Sequence, residues 1–249
     1  MVQYVEKPCL LMATKISSFS GTFMTLVSTG VVQAATEDMK IQTDFAWKFG
    51  LWYALFSFVV PWLIYLRYRN SGLLLPRQIS MVIGGGVGAF SMFSFVGYFF
   101  YFGFAPIPIW AHILGMGGGL GVFGYWGYLV WGDVMTALQK HNLFATIYVE
   151  KDDAILYYRN KKAFSDRSPF KSIHLYAAML VAPFTFVLNR VLTPYTGSGH
   201  GVFIVLAFFG VPMTMFMIGS AVQVYILTIY YPIKLQRQTG KPVIDMESC

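Results

Sequence analysis

The sequence predicts an all-α integral membrane protein, a bundle of five or six transmembrane helices with a small β-hairpin on its inner face. Three observations predict it. Of the 249 residues, 56% are hydrophobic and 12% charged, about half the charge content of an ordinary soluble domain. The apolar residues form long unbroken blocks, as expected where lipid is the solvent. Basic residues lie in the short segments between blocks, and many aromatic residues gather near block ends, where amphipathic rings favour the headgroup layer.

Residues 1–35 read as either a signal peptide or a weak first transmembrane helix. Lys7 and Lys15 precede the mildly apolar stretch Ile16 to Val32, which ends Val31-Val32-Gln33-Ala34-Ala35 before Thr36-Glu37-Asp38. A basic region, an apolar region and a small-residue end describe a secretory leader cut near Ala34. Retained, the same residues make a sixth helix, less lipophilic than the others because of Ser17, Ser18, Ser20, Thr22, Thr25, Ser28 and Thr29. Both alternatives orient the rest of the chain in the same way.

Residues 36–249 are assigned to the bundle. Its helices are expected at Phe45 to Leu66, Ile79 to Phe104, Ile107 to Leu138, Ile173 to Thr193 and Gly201 to Tyr231. Each reaches the roughly 20 residues that cross about 30 Å of hydrocarbon. The third and fifth blocks run to about 30 residues, so they should tilt or project beyond the bilayer.

The net charge of +7 reports topology rather than an affinity for nucleic acid. Arg67 to Arg77 holds three basic residues and no acid, Lys140 to Lys171 holds seven basic residues, and the tail adds Lys234, Arg237 and Lys241. The turns at Gly103 to Pro108 and Pro194 to Gly199 carry no charge. By the positive-inside rule the three basic segments share the cytoplasmic face, in a bacterial inner membrane or an equivalent energy-transducing membrane. Strict alternation of the five blocks satisfies all three at once.

The segment His141 to Lys171 is the one sizeable polar stretch. Ala145 to Val149 and Ala154 to Tyr158 are β-prone runs flanking Glu150-Lys151-Asp152-Asp153, the pattern of a hairpin. Being too small to stand alone, it should lean on the projecting end of the third block or on another subunit.

Glycine carries the clearest packing signal. The second block contains Gly84-Gly85-Gly86 and Gly88, and in the third Gly117, Gly121 and Gly124 fall at four- and three-residue spacing. That spacing makes a smooth strip for close approach by a helix or by a flat cofactor such as a haem, quinone or pigment, with Phe123, Tyr125 and Trp126 beside it. Two histidines at one depth on different helices are what a b-type haem requires. His112 and His200, both at the outer side, are the better pair; His141 and His174 lie toward the inner side.

Other signals are weaker. Met213 and Met217 share a helical face and suit Cu(I), but Met is also an ordinary gap filler. Asp44 and Lys48 can pair four residues apart, while Asp133 and Arg190 lie near helix ends, so no ionisable group sits plainly at mid-membrane, which counts against an ion-coupled transporter. Pro61, Pro183 and Pro212 interrupt three blocks and fit irregular packing. Cys9 and Cys249 at opposite termini support no disulfide framework, and no phosphate loop, His-Glu-x-x-His or Gly-x-Ser-x-Gly occurs.

The expected function is that of a non-catalytic membrane subunit of a larger complex for electron transfer or membrane-bound oxidation, in contact with lipid and other membrane subunits. A haem- or quinone-binding redox subunit and a small-solute permease are the alternatives.

Overall fold

The computed structural model describes residues 9–140, 143–158 and 199–246, with residues 187, 190, 191, 193 and 194 between them. Among the described residues, five helices are long and apolar enough to cross a membrane. We name them α1 (Cys9–Asp38), α2 (Phe45–Tyr68), α3 (Leu74–Phe104), α4 (109–140) and α6 (200–239); between α4 and α6 lies the short α5 (Leu143–Ile147). A small sheet completes the fold, with strands β1 (Tyr148–Glu150), β2 (Ile155–Tyr157) and β3 (Val243–Asp245). The expected block from Ile173 to Thr193 falls almost wholly outside the described residues, as do His141, His174 and Pro183.

Residues 9–38 form one continuous helix with an inverted face. Thr14, Ser17, Ser18, Thr25, Ser28 and Thr29 are buried, whereas Met12, Ile16, Phe19, Phe23 and Leu26 point outward. The hydroxyls cross-link the helix to its neighbours. Ser17 meets Ser80 at 3.4 Å and Ser28 meets Ser91 at 2.8 Å, while Thr22 meets Ser57 at 3.2 Å. Both contacts to α3 keep a constant sequence offset, so α1 and α3 run parallel; Thr22 meets Ser57 whereas Thr29 lies against Gly50, so α1 and α2 run antiparallel. The Ser and Thr content that makes this segment look weakly lipophilic is therefore turned inward, where hydroxyls bridge helices.

Backbones approach most closely at glycine. A Cβ on Gly21 would collide with the Gly84 carbonyl, and one on Gly84 would lie 2.6 Å from Ser17 O. Farther along, Gly97 of α3 faces Gly210 of α6, where a Cβ on Gly210 would lie 2.6 Å from Gly97 O. Winding is irregular around these crossings, with π-helical stretches at Val82–Gly86 and Ser91–Phe99 in α3, and two more occur elsewhere, at Ile113–Gly117 in α4 and Ile226–Tyr230 in α6. Wider turns of this kind shift the phase of side chains along a helix.

The hairpin forms, with β1 and β2 antiparallel and Val149 opposite Leu156. Two details differ from expectation. Residues 145–147 belong to α5 rather than to the first strand, and the C-terminal segment adds β3 parallel to β2. The hairpin leans on its own chain: Ile147, Tyr148, Ile155 and Tyr157 share one apolar core with Val130, Val134 and Leu138 of α4 and with Ile226 and Leu227 of α6. The Tyr148 hydroxyl donates to Leu227 O, and burial pushes its pKa up.

The 67–77 loop joins the same end. Asp245 N–H donates to Gly72 O at 3.0 Å, and Leu73 bridges Ile244. Arg77 pairs with Asp245, both largely buried, and Lys241 bonds Glu150 at 2.7 Å. The 67–77 loop, the hairpin and the C-terminal tail therefore gather at one end of the bundle. Gly199 and His200 lie at the other, beside Asp38, Met39 and Tyr101.

Candidate functional site

Two features carry the candidate residues: the end of α3, α4 and α6 away from the sheet, and the outward face of α4. At that end, Ala105–Pro108 turns the chain from α3 into α4, which brings His112 back beside Phe102. The His112 Nδ1 lies 2.6 Å from Phe102 O. A carbonyl only accepts, so Nδ1 is the donor, and in the neutral ring Nε2 then carries the lone pair. His200 begins α6 after Gly199, whose φ of 80° suits glycine. Its Nδ1 is 3.3 Å from the Tyr101 hydroxyl, and Tyr101 stacks on Phe203. Both histidines are thus fastened to consecutive residues, 101 and 102, at one end of one helix. Among the described residues, no group of three or more His, Cys, Asp or Glu is placed to hold a metal ion.

Along α4 the two faces divide cleanly. Inward, Gly115 receives the Phe102 ring, and a Cβ on Gly119 would meet Tyr98 Cε1 at 2.5 Å. Gly127 lies against Ile218, and Phe123, Val130 and Val134 are buried. Trp126 Nε1 donates to Met215 O at 2.9 Å, tying α4 to the parallel α6.

Outward, a second row runs Trp110, Leu114, Gly117, Gly121, Gly124 and Tyr128. Its steps alternate between four and three residues, the seam by which two helices interlock. Trp110, Leu114 and Tyr128 are each more than 60% exposed, and a Cβ on any of the three glycines would meet no described atom within 4 Å. The strip therefore exists as a smooth concave stretch between bulky ends, but its face is open among the described residues. The intramolecular close contacts of α4 use Gly115, Gly119 and Gly127 instead. Sequence reasoning missed those three because they carry the same residue type one step round the helix.

On α2, Asp44 and Lys48 form the expected pair at 2.9 Å, with Trp47 Nε1 donating to the same carboxylate at 3.3 Å. Hydrogen bonds from Lys48 first and Trp47 second hold the Asp44 carboxyl below its ordinary pKa. Lys48 also borders a shallow groove with Leu51, Trp52 and Leu55. No family model matches the sequence, and comparison with curated proteins and with solved structures gives no match.

Proposed function

We propose that the chain is an integral membrane subunit of a larger assembly, non-catalytic in itself, and that the outward seam of α4 docks a transmembrane helix of a partner subunit. The observation that supports this is the seam itself: three glycines at heptad spacing between Trp110, Leu114 and Tyr128, open among the described residues. Small residues at such spacing let backbones approach closely in lipid, where dispersion replaces the hydrophobic effect as the force between helices. The basic residues of the sheet end favour an orientation with that end in the cytoplasm, in an energy-transducing membrane such as a bacterial inner membrane.

Extraction in mild detergent, followed by native sizing and mass spectrometry, tests the reading. A partner polypeptide should co-elute with the chain and be lost from Gly121→Leu, while that variant itself stays folded. Elution of the unaltered chain alone would defeat it.

A second reading, direct binding of a b-type haem or a quinone in an electron-transfer assembly, draws on the His112 hydrogen bond. Donation from Nδ1 to a carbonyl leaves Nε2 as the ligating nitrogen, the arrangement typical of metal-bound histidine. A reduced-minus-oxidised haem spectrum that disappears in both His112→Ala and His200→Ala is its signature, and a featureless spectrum removes the haem form of it.

A further inference from the structure

We infer that Ser94 and Thr214 together hold an ordered water molecule in the interior of the bundle, between α3 and α6. Both residues are fully buried. Their hydroxyl oxygens have no hydrogen-bond partner among the described residues. That sets them apart from most other buried hydroxyls of this chain. Ser18, Thr25, Thr29, Thr36 and Thr228 each donate to the carbonyl four residues back, and Ser28 and Ser57 to the one three back. Thr14 Oγ1 is a further unpartnered hydroxyl and lies on α1, toward the sheet end.

The helix register places Ser94 and Thr214 at one level. Phe100 meets Phe203 edge to face, and Gly97 touches Gly210, so α3 and α6 are antiparallel. From the Gly97–Gly210 contact, three residues back along α3 is a displacement of about 4.5 Å, and four forward along α6 is about 6 Å in the same direction. Ser94 is one turn from Gly97 on α3, and Thr214 one turn from Gly210 on α6. Two glycines bring the backbones together, and next to them come two small hydroxyl residues with no partner.

Local geometry explains why these hydroxyls leave their own helices. Ser94 lies inside the π-helical stretch Ser91–Phe99, where the Phe100 N–H bonds back to Phe95 O rather than to the carbonyl four residues back. Thr214 follows Pro212, whose ring removes one donor from the ladder of α6. The wider winding shifts the carbonyls that the Ser94 hydroxyl would normally reach, and Pro212 loosens the ladder just before Thr214. A buried hydroxyl without a partner is costly, and water is the ligand suited to two such hydroxyls at one level, because it can donate to and accept from both. Ser91, one turn farther along α3, already bonds Ser28 of α1. The site thus extends a polar track from α1 through α3 to α6.

A structure of the intact chain, with any co-purifying subunits, at a resolution that shows ordered water is the direct test. Density within hydrogen-bond distance of both oxygens, absent from Thr214→Val, is expected. Hydroxyls that bond each other, or only their own helices, would overturn the proposal. Radiolytic footprinting supplies a second readout: oxidation of Met215, beside the site, should fall several-fold in the Ser94→Ala/Thr214→Val double variant. Unchanged oxidation there would overturn it too.

Discussion

At the residue scale the fold depends on where a side chain is missing. A Cβ on Gly84 would press against the Ser17 carbonyl and Cβ at 2.6–2.9 Å, and α1 cannot yield without breaking the Ser17–Ser80 contact. Gly84→Leu should therefore destabilise the extracted protein by about 1–3 kcal/mol or more, the usual cost of overpacking. Gly121→Leu should leave its thermal midpoint unchanged, since no described atom lies near. A thermal-shift comparison in detergent checks both, and equal losses would refute this division of the glycines. The sequence made glycine conspicuous but not the side it faced: Gly115 and Gly119 bear on Phe102 and Tyr98, and only the approach of α3 distinguishes them from Gly117 and Gly121.

Asp44 gives a second residue-scale expectation. Its folded pKa is depressed by the hydrogen bonds from Lys48 and Trp47, below the ordinary value of 3.8. A depressed carboxyl stabilises the fold above its unfolded pKa, and the contribution fades as pH falls through the folded value. The pair is more than half exposed, so the contribution is small. Carboxyl titration by NMR should place the Asp44 midpoint below 3.8, and Lys48→Met should raise it. A midpoint that did not move would show the pair unformed in solution.

At the element scale, the sheet end is held by pieces distant in sequence. Asp245 of β3 reaches Arg77 at the start of α3, with side chains only 5% and 12% exposed. Removing one partner of a buried pair typically costs about 3–5 kcal/mol, whereas replacing both by apolar residues is far milder. Arg77→Met should accordingly lower the unfolding midpoint much more than Arg77→Met/Asp245→Leu does. If the double variant fell as far as the single one, the ion pair would not be the source of the loss.

The hairpin was legible because Glu150-Lys151-Asp152-Asp153 is turn chemistry between two β-prone runs. Strand β3 was not, because Val243–Asp245 is too short to show a period and its pairing depends on a hairpin nearly 90 residues earlier. The π-helical stretches were equally hidden, since Ser91–Phe99 is composed like any apolar helix. Of the two supports expected for the hairpin, the projecting end of the third block or another subunit, the first is the one seen: the ends of α4 and α6 lie beneath it, and β3 adds a third strand.

At the scale of the whole molecule, length and hydropathy were enough to foresee four of the five long helices among the described residues, at 45–66, 79–104, 107–138 and 201–231. They were not enough for α1, whose buried Ser and Thr lower its mean hydropathy while strengthening its packing. The positive-inside reading agrees with the gathering of Arg67, Arg69, Arg237 and Lys241 at the sheet end. After replacement of Cys9 and Cys249, single cysteines at Asn70, Asp152 and Thr239 should resist an impermeant thiol reagent in intact cells, and one at Thr43 should react. Labelling of Asp152→Cys without lysis would invert the topology.

The docking role of α4 is the central claim, and site-specific photo-crosslinking in the native membrane tests it most directly. A photoreactive residue replacing Tyr128, at the edge of the glycine strip, should yield one discrete heavier adduct containing a second polypeptide. The same probe at Trp52, on the outward face of α2, should yield none. Lipid adducts alone at both positions would mean that the α4 seam faces the bilayer and would contradict the account.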